Sequence, residues 1–194
     1  ILRRIVFDYP HRFIFGPNSI KMLPEEVSRL TRKDEANIFL VSDKNLVKIG
    51  LTDKVVKLIE EKGHNVQIFD KIVREPDLDT AEIVAAEVRK DKYDLVIGLG
   101  GGSSLDMAKV ASVASTNPGS VSEYIDYMED RIKVDPLPKV LIPTTAGSGS
   151  EVSSYAVIIG KQGFKEFISS FKLVANTALV DPLLTFSCPP WQTA

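Results

Sequence analysis

The feature that most limits what this chain can fold into is a rhythm. From residue 37 to residue 144, short apolar runs alternate with longer amphipathic stretches. "NIFLVS" (37–42), "NVQIFD" (65–70), "DLVIGLG" (94–100) and "KVLIPT" (139–144) read as short buried strands. "LTDKVVKLIEEKG" (51–63), "DTAEIVAAEVRKD" (79–91) and "SLDMAKVASVAST" (104–116) read as the helices between them. In the first helix, Thr52 is placed to cap the N-terminus and Gly63 to take the left-handed conformation at the end. Strands of about six residues alternating with helices of about twelve make βαβ units. The fold class is therefore α/β: a Rossmann-like parallel sheet flanked by helices on both faces.

Both ends depart from the rhythm. "RRIVFDY" and "RFIFG" predict short strands, with a helix over "PEEVSRL" behind them. "SYAVIIGKQGFKEFISS" alternates as an added β-hairpin does, with its turn over residues 160–163, and "TALVDP" (177–182) is one more strand. Residues 117–138 carry prolines and charges and predict irregular surface structure.

Composition sets the outer bounds. With 194 residues and 44% hydrophobic side chains, the chain can bury a proper core and is not disordered. Its apolar runs are too short to cross a bilayer, and no charged-then-apolar leader opens the sequence. A net charge of -2 with interspersed signs argues against nucleic acid. The single Cys188 allows no internal disulfide and points to a reducing, cytoplasmic compartment. It reads as a small buried thiol rather than a nucleophile.

The chemistry begins at "GLGGGSSLDMAK", where a strand runs through Gly100, Gly101 and Gly102 into a helix. The first turn of a helix presents unpaired backbone N–H groups and the positive end of the helix dipole. Consecutive glycines keep side chains off that approach, so a pyrophosphate can reach the amides. Ser103 adds a hydroxyl, and Asp106 is expected in the first helical turn. The spacing is neither GxGxxG nor a P-loop, so the residues alone indicate a nucleotide or phosphate site; a glycine turn that merely packs tightly is the competing reading.

A second loop, "PTTAGSGSE" (143–151), also leaves an apolar strand, and Thr144, Thr145, Ser148 and Ser150 can donate to oxygens or base edges. Two such loops at one sheet edge suggest a dinucleotide gripped at both ends. Asp43 of "LVSDKNL" falls just after the first strand of the alternating block. A carboxylate there can accept from ribose hydroxyls and repel a 2′-phosphate, though a plain helix N-cap fits it as well.

"GGGSSLDMAK", "PTTAGSGSEVS" and "ALVDPLL", with "FGPNSI" and "VSDKNL", closely resemble the iron-containing (group III) alcohol dehydrogenases of the dehydroquinate synthase-like superfamily. Dehydroquinate synthase-like and maleylacetate reductase-like branches usually lack the arrangement kept here by Ser103, Asp106 and Lys109. The resemblance implies that residues 1–194 are the family's N-terminal dinucleotide-binding α/β domain, with NAD as cofactor. It implies Asp43 at the adenosine ribose and Gly101, Gly102 and Ser103 at the pyrophosphate. Thr144 and Thr145 then line the adenine side, and Ser153 and Tyr155 flank the phosphate and ribose. Lys165 reaches in from the hairpin, and Leu184 packs nearby. Asp106 joins these cofactor-binding positions through the shared motif. Glu75 stands where such proteins often carry Asn before a proline, so a contact to the nicotinamide ribose is in doubt there.

In the family a divalent metal, iron or zinc, is held by one Asp and three His beyond "DPLLTFSCPP", in a helical C-terminal domain. His11 and His64 stand outside any ligand-like cluster and read as satisfied or solvated histidines. The expectation is hydride transfer between an alcohol and its aldehyde or ketone in a full-length form, with these 194 residues binding NAD without catalysis. A glycerol- or polyol-type dehydrogenase domain and a non-catalytic nucleotide-binding or assembly module are the alternatives. An apolar face including "TFSCPPW" predicts a homo-oligomer or association with a separate C-terminal half.

Overall fold

The computed structural model describes residues 9–125 and 131–189. Its centre is a six-stranded, wholly parallel sheet with the order β1-β8-β5-β4-β2-β3. The strands are β1 (Arg12–Phe15), β2 (Asn37–Val41), β3 (Asn65–Phe69), β4 (Leu95–Gly100), β5 (Lys139–Pro143) and β8 (Thr177–Val180). Antiparallel β6 (Tyr155–Ile159) and β7 (Lys165–Ser169) form the expected hairpin as a separate pair. Of the expected strand over "RRIVFDY", residues 3–8 lie outside the described residues.

The helices are α1 (Leu23–Thr31), α2 (Lys44–Lys48), α3 (Leu51–Glu60), α4 (Leu78–Val88) and α5 (Gly102–Ala114). The period of two along each strand sorts the core into two layers. Ile38 and Leu40 of β2 pack with Leu23 and Val27 of α1 and Val55 and Ile59 of α3. Phe39 and Val41 face the other way, onto Val84 of α4, Leu105 and Met107 of α5, and the hairpin's Ala156 and Ile168. Central strands buried on both faces are what near-continuous apolar runs encode. Where α5 crosses the sheet, a Cβ at Gly98 would lie 2.8 Å from Ala108 Cβ and 2.9 Å from Leu141 Cδ2. That close approach is why a glycine interrupts an otherwise bulky strand.

At the sheet edge made by β1 and β8, buried Glu26 of α1 ties the first strand to the last. It accepts from Arg29 Nη2 and from Thr177 Oγ1, each at 2.8 Å, and pairs with Arg12 Nε at 3.1 Å.

Two local expectations change, and one short helix is added. Gly50, left-handed at φ 74, caps α3 in place of Thr52. Thr52 is instead fully buried, its hydroxyl 3.4 Å from that of Ser42. α2 has only five residues, too short for periodicity to reveal. Because α5 starts at Gly102, Asp106 lies in its second turn, not its first. Gly63 does adopt the left-handed conformation just after α3, at φ 88. Residues 117–138 are irregular apart from a 3-10 turn, Val121–Tyr124, which a capping box of Ser120 and Glu123 opens; residues 126–130 lie outside the described residues. Among the described residues no helix is long and apolar enough to cross a membrane.

From β2 the chain first steps to β3 on one side and then returns to β4 on the other. The connections leaving β2 and β4 therefore diverge, which opens a crevice at their carboxyl ends. In open α/β sheets that switch point is where ligands bind.

Candidate functional site at the sheet switch point

A cleft of about 1030 Å³ occupies that crevice. One wall is the junction of β4 with α5. Gly101, the N-cap, is extended, and no side chain caps the helix. The first backbone bond back to the cap is Leu105 N to Gly101 O, at 3.1 Å, so the amides of the first turn remain open to a ligand. The glycines also admit the second loop, which the strand of residues 139–143 delivers alongside: Thr144 N donates to Gly100 O at 3.0 Å. A Cβ at Gly102 would come within 2.9 Å of Ser148 Cβ, and one at Gly101 within 3.3 Å of Thr145 Oγ1. At this corner the glycines allow the tight packing, and the first-turn amides carry no side-chain cap.

The opposite wall begins at Asp43. Its Oδ1 accepts from Asn45 N (2.8 Å) and Leu46 N (3.2 Å), capping α2. The N-cap reading is thus realised, and the same cap holds Asp43 at the cleft wall. A backbone bridge joins Asp43 to Lys71 beyond β3.

Of the residues singled out from the sequence, Asp43, Gly101, Gly102, Ser103, Thr144 and Thr145 line this one cleft together. The others stand elsewhere. Asp106 is buried and wired inward: it accepts from Ser150 Oγ, from Val157 N at 3.1 Å and from Lys109 Nζ at 3.3 Å. Ser153 Oγ accepts from the same Lys109 at 3.0 Å. Tyr155 is half exposed at the base of the hairpin, and its carbonyl takes a further bond from Lys109 at 2.5 Å. Lys165 Nζ lies 3.5 Å from Glu75 Oε1 on an exposed surface. Leu184 packs on the α1–α3 core layer.

Asp106 and Lys109 thus act as struts. They fasten the loop of residues 144–153 and the start of the hairpin to α5. Burial pushes the Lys109 amine below its usual range, and the Asp106 carboxylate opposes that shift.

Sequence reasoning missed several cleft residues. Lys44, Lys71 and Arg74 line it, on α2 and on the connection after β3. Ile72 and Val73 add an apolar stretch, and Ser187, Cys188 and Pro189 form a lip at the far end of the chain. No spacing marks these positions; only the topology gathers them. Cys188 is half-buried in that lip rather than enclosed in the core, which corrects the reading of a buried thiol. Glu75 takes a left-handed φ of 52, a conformation that Asn tolerates better.

No group of three or more His, Cys, Asp or Glu among the described residues fits a metal ion. His64 is a satisfied core histidine: Ala36 N donates to Nδ1 at 3.2 Å, so Nε2 carries the proton toward Ser28 Oγ at 3.2 Å. His11 is exposed.

A parallel sheet with open helix amides and a strand-end carboxylate across one switch-point cleft defines a Rossmann-like α/β protein of nucleotide-site architecture. Residues 10–182 match the family model "Iron-containing alcohol dehydrogenase", and the chain belongs to that family, as its N-terminal part. It is 42% identical over 192 residues to long-chain-alcohol dehydrogenase 1 of Geobacillus thermodenitrificans, covering 98% of this chain and 47% of that protein. A crystal structure of 1,3-propanediol oxidoreductase matches with a TM-score of 0.90 at 30% identity, over 99% of this chain and 49% of that one. Sulfoacetaldehyde reductase from Bifidobacterium kashiwanohense, solved in complex with NAD+, matches with a TM-score of 0.84 at 26% identity, over 97% and 50%. The chain spans about half the length of the curated relatives it matches.

Proposed function

We propose that residues 1–194 form the NAD(H)-binding domain of a metal-dependent alcohol dehydrogenase. The reaction is hydride transfer between a primary or secondary alcohol, with its aldehyde or ketone, and NAD. The observation that carries this reading is the convergence of the uncapped α5 terminus and Asp43 on one cleft. The NAD+ complex of the sulfoacetaldehyde reductase supports the choice of cofactor.

In this reading the amides of Gly102 and Ser103 receive the diphosphate, where the helix dipole favours negative charge. Asp43 accepts hydrogen bonds from the adenosine ribose hydroxyls and disfavours a 2′-phosphate. Thr144 and Thr145 offer hydroxyls to the adenine side. Tyr155 and Lys165 stand at the hairpin, outside the cleft wall, and Lys165 must leave Glu75 to reach a ligand. NAD, when bound, supplies the hydride acceptor. A divalent metal, iron or zinc, would supply a Lewis acid at the alcohol oxygen, and the described residues offer no cluster to hold one. Taken alone, these 194 residues bind cofactor without turnover, since relatives are about twice as long. They associate as a homo-oligomer or with the rest of the family's fold.

Calorimetric titration with NAD and NADP tests the reading. The expected result is NAD binding with a clear preference over NADP. Silence toward both dinucleotides overturns it.

A further inference from the structure

The connection between β3 and α4, residues 70–77, is anchored at both ends and lines the cleft between them. At one end Lys71 is bridged to Asp43 through the backbone. At the other, Ile159 N of the hairpin donates to Pro76 O at 2.9 Å, and Asp77 caps α4 by accepting from Thr80 N at 2.8 Å. Lys71, Ile72, Val73 and Arg74 line the cleft between those anchors. Glu75, the next residue, is held at φ 52, a left-handed conformation that a glutamate adopts only at a cost. Its carboxylate turns to the hairpin, where Oε1 lies 3.5 Å from Lys165 Nζ. Lys165 stands opposite Ile159 in the hairpin register, so the backbone bond and the ion pair join the same two segments side by side.

We infer that Glu75 is an autoinhibitory clasp: it holds the Lys165 ammonium of the hairpin away from the anionic cofactor and releases it only when the ligand competes. The inference rests on the cofactor reading above and deepens it. Both side chains are exposed, so water screens the pair and its attraction is small enough for a ligand to overcome. A dinucleotide brings a diphosphate into the cleft, and with it a second anion between which and Glu75 the same ammonium must choose. The bond between Ile159 and Pro76 does not depend on the ion pair, so the hairpin stays in place and only a flexible lysine stem has to swing. Glu75 thus lowers the affinity for the cofactor without touching it.

NAD is titrated calorimetrically, at low salt, into the unsubstituted chain, Glu75→Gln, Lys165→Gln and the double variant. Glutamine at 75 keeps the length and the left-handed backbone and removes only the charge. E75Q is expected to tighten NAD binding by about two- to fivefold, the range an exposed ion pair commands. In the K165Q background the same substitution is expected to change the affinity by less than about 1.5-fold, and the E75Q gain is expected to shrink as salt rises. An equal gain with and without Lys165 means that Glu75 acts through its own charge on the cofactor. No gain in E75Q while NAD still binds means that the pair withholds nothing. Either result overturns the clasp alone. Failure of the unsubstituted chain to bind NAD overturns the cofactor reading beneath it.

Discussion

Lys109, midway along α5, and Lys139, at the head of β5, are both buried lysines, and the molecule accommodates them by different means. Lys109 Nζ donates to Ser150 Oγ and Ser153 Oγ at 3.0 Å each and to Tyr155 O, and it meets the Asp106 carboxylate at 3.3 Å. Among the described residues, Lys139 Nζ donates to the carbonyls of Lys172 (2.8 Å) and Val174 (3.4 Å) and meets no carboxylate. Burial, with the Lys109 charge adding to it, pulls the Lys139 amine down to about 7. A buried charge with a counterion can organise its neighbourhood, whereas one with only carbonyl dipoles loses its proton instead. The first lysine belongs to the site's scaffold. The second merely fills its place in the sheet.

The largest expected effect strikes the paired lysine. Asp106→Ala leaves the Lys109 ammonium buried without its counterion, which costs about 3–5 kcal/mol by urea denaturation. It should also weaken NAD binding, because the loop of residues 144–153 loses its tether. A loss below about 1 kcal/mol would mean that Lys109 does not depend on Asp106.

Next comes the pH dependence of the unpaired lysine. Its folded pKa of about 7 lies below the ordinary 10.5. Between those values the unfolded chain binds the extra proton, so stability rises with pH across that window and is lowest below pH 7. Lys109, whose amine is also lowered, contributes in the same sense, so the difference from Lys139→Met isolates one residue. Relative to K139M, the unsubstituted chain should gain up to about 1.4 kcal/mol per pH unit from pH 7 to about 9. Parallel stability curves for the two proteins would assign Lys139 a charged partner after all. The smallest effect is Ser153→Ala, which removes one of several acceptors from Lys109. It should cost about 0.5–1.5 kcal/mol by thermal unfolding.

Much of the sheet is legible in the sequence because β2, β4 and β5 are buried on both faces and so read as apolar runs. The hairpin is legible because its alternation changes period, and the glycine junction because three glycines have no regular-structure reason to be there. What escapes is whatever depends on tertiary approach. α2 has five residues and no periodicity, yet its cap orients Asp43. Asp106 sits in the same motif as the cleft glycines, but one turn of helix points its carboxylate into the protein. Thr52 has a capping residue's chemistry, but Gly50 already takes the left-handed corner and leaves Thr52 to the core. Lys71 and Arg74 carry no motif at all and reach the cleft only because β3 lies beside β2.

The bond between Glu26 and Thr177, 151 residues apart, has a consequence for how the chain is made. A ribosome releases Arg12 long before it releases the strand that Arg12 must lie beside. Pairing β1 with β8 therefore closes most of the chain into one loop, at a larger entropic cost than joining neighbours in the middle of the sheet. That cost predicts late docking of the β1–β8 seam in folding.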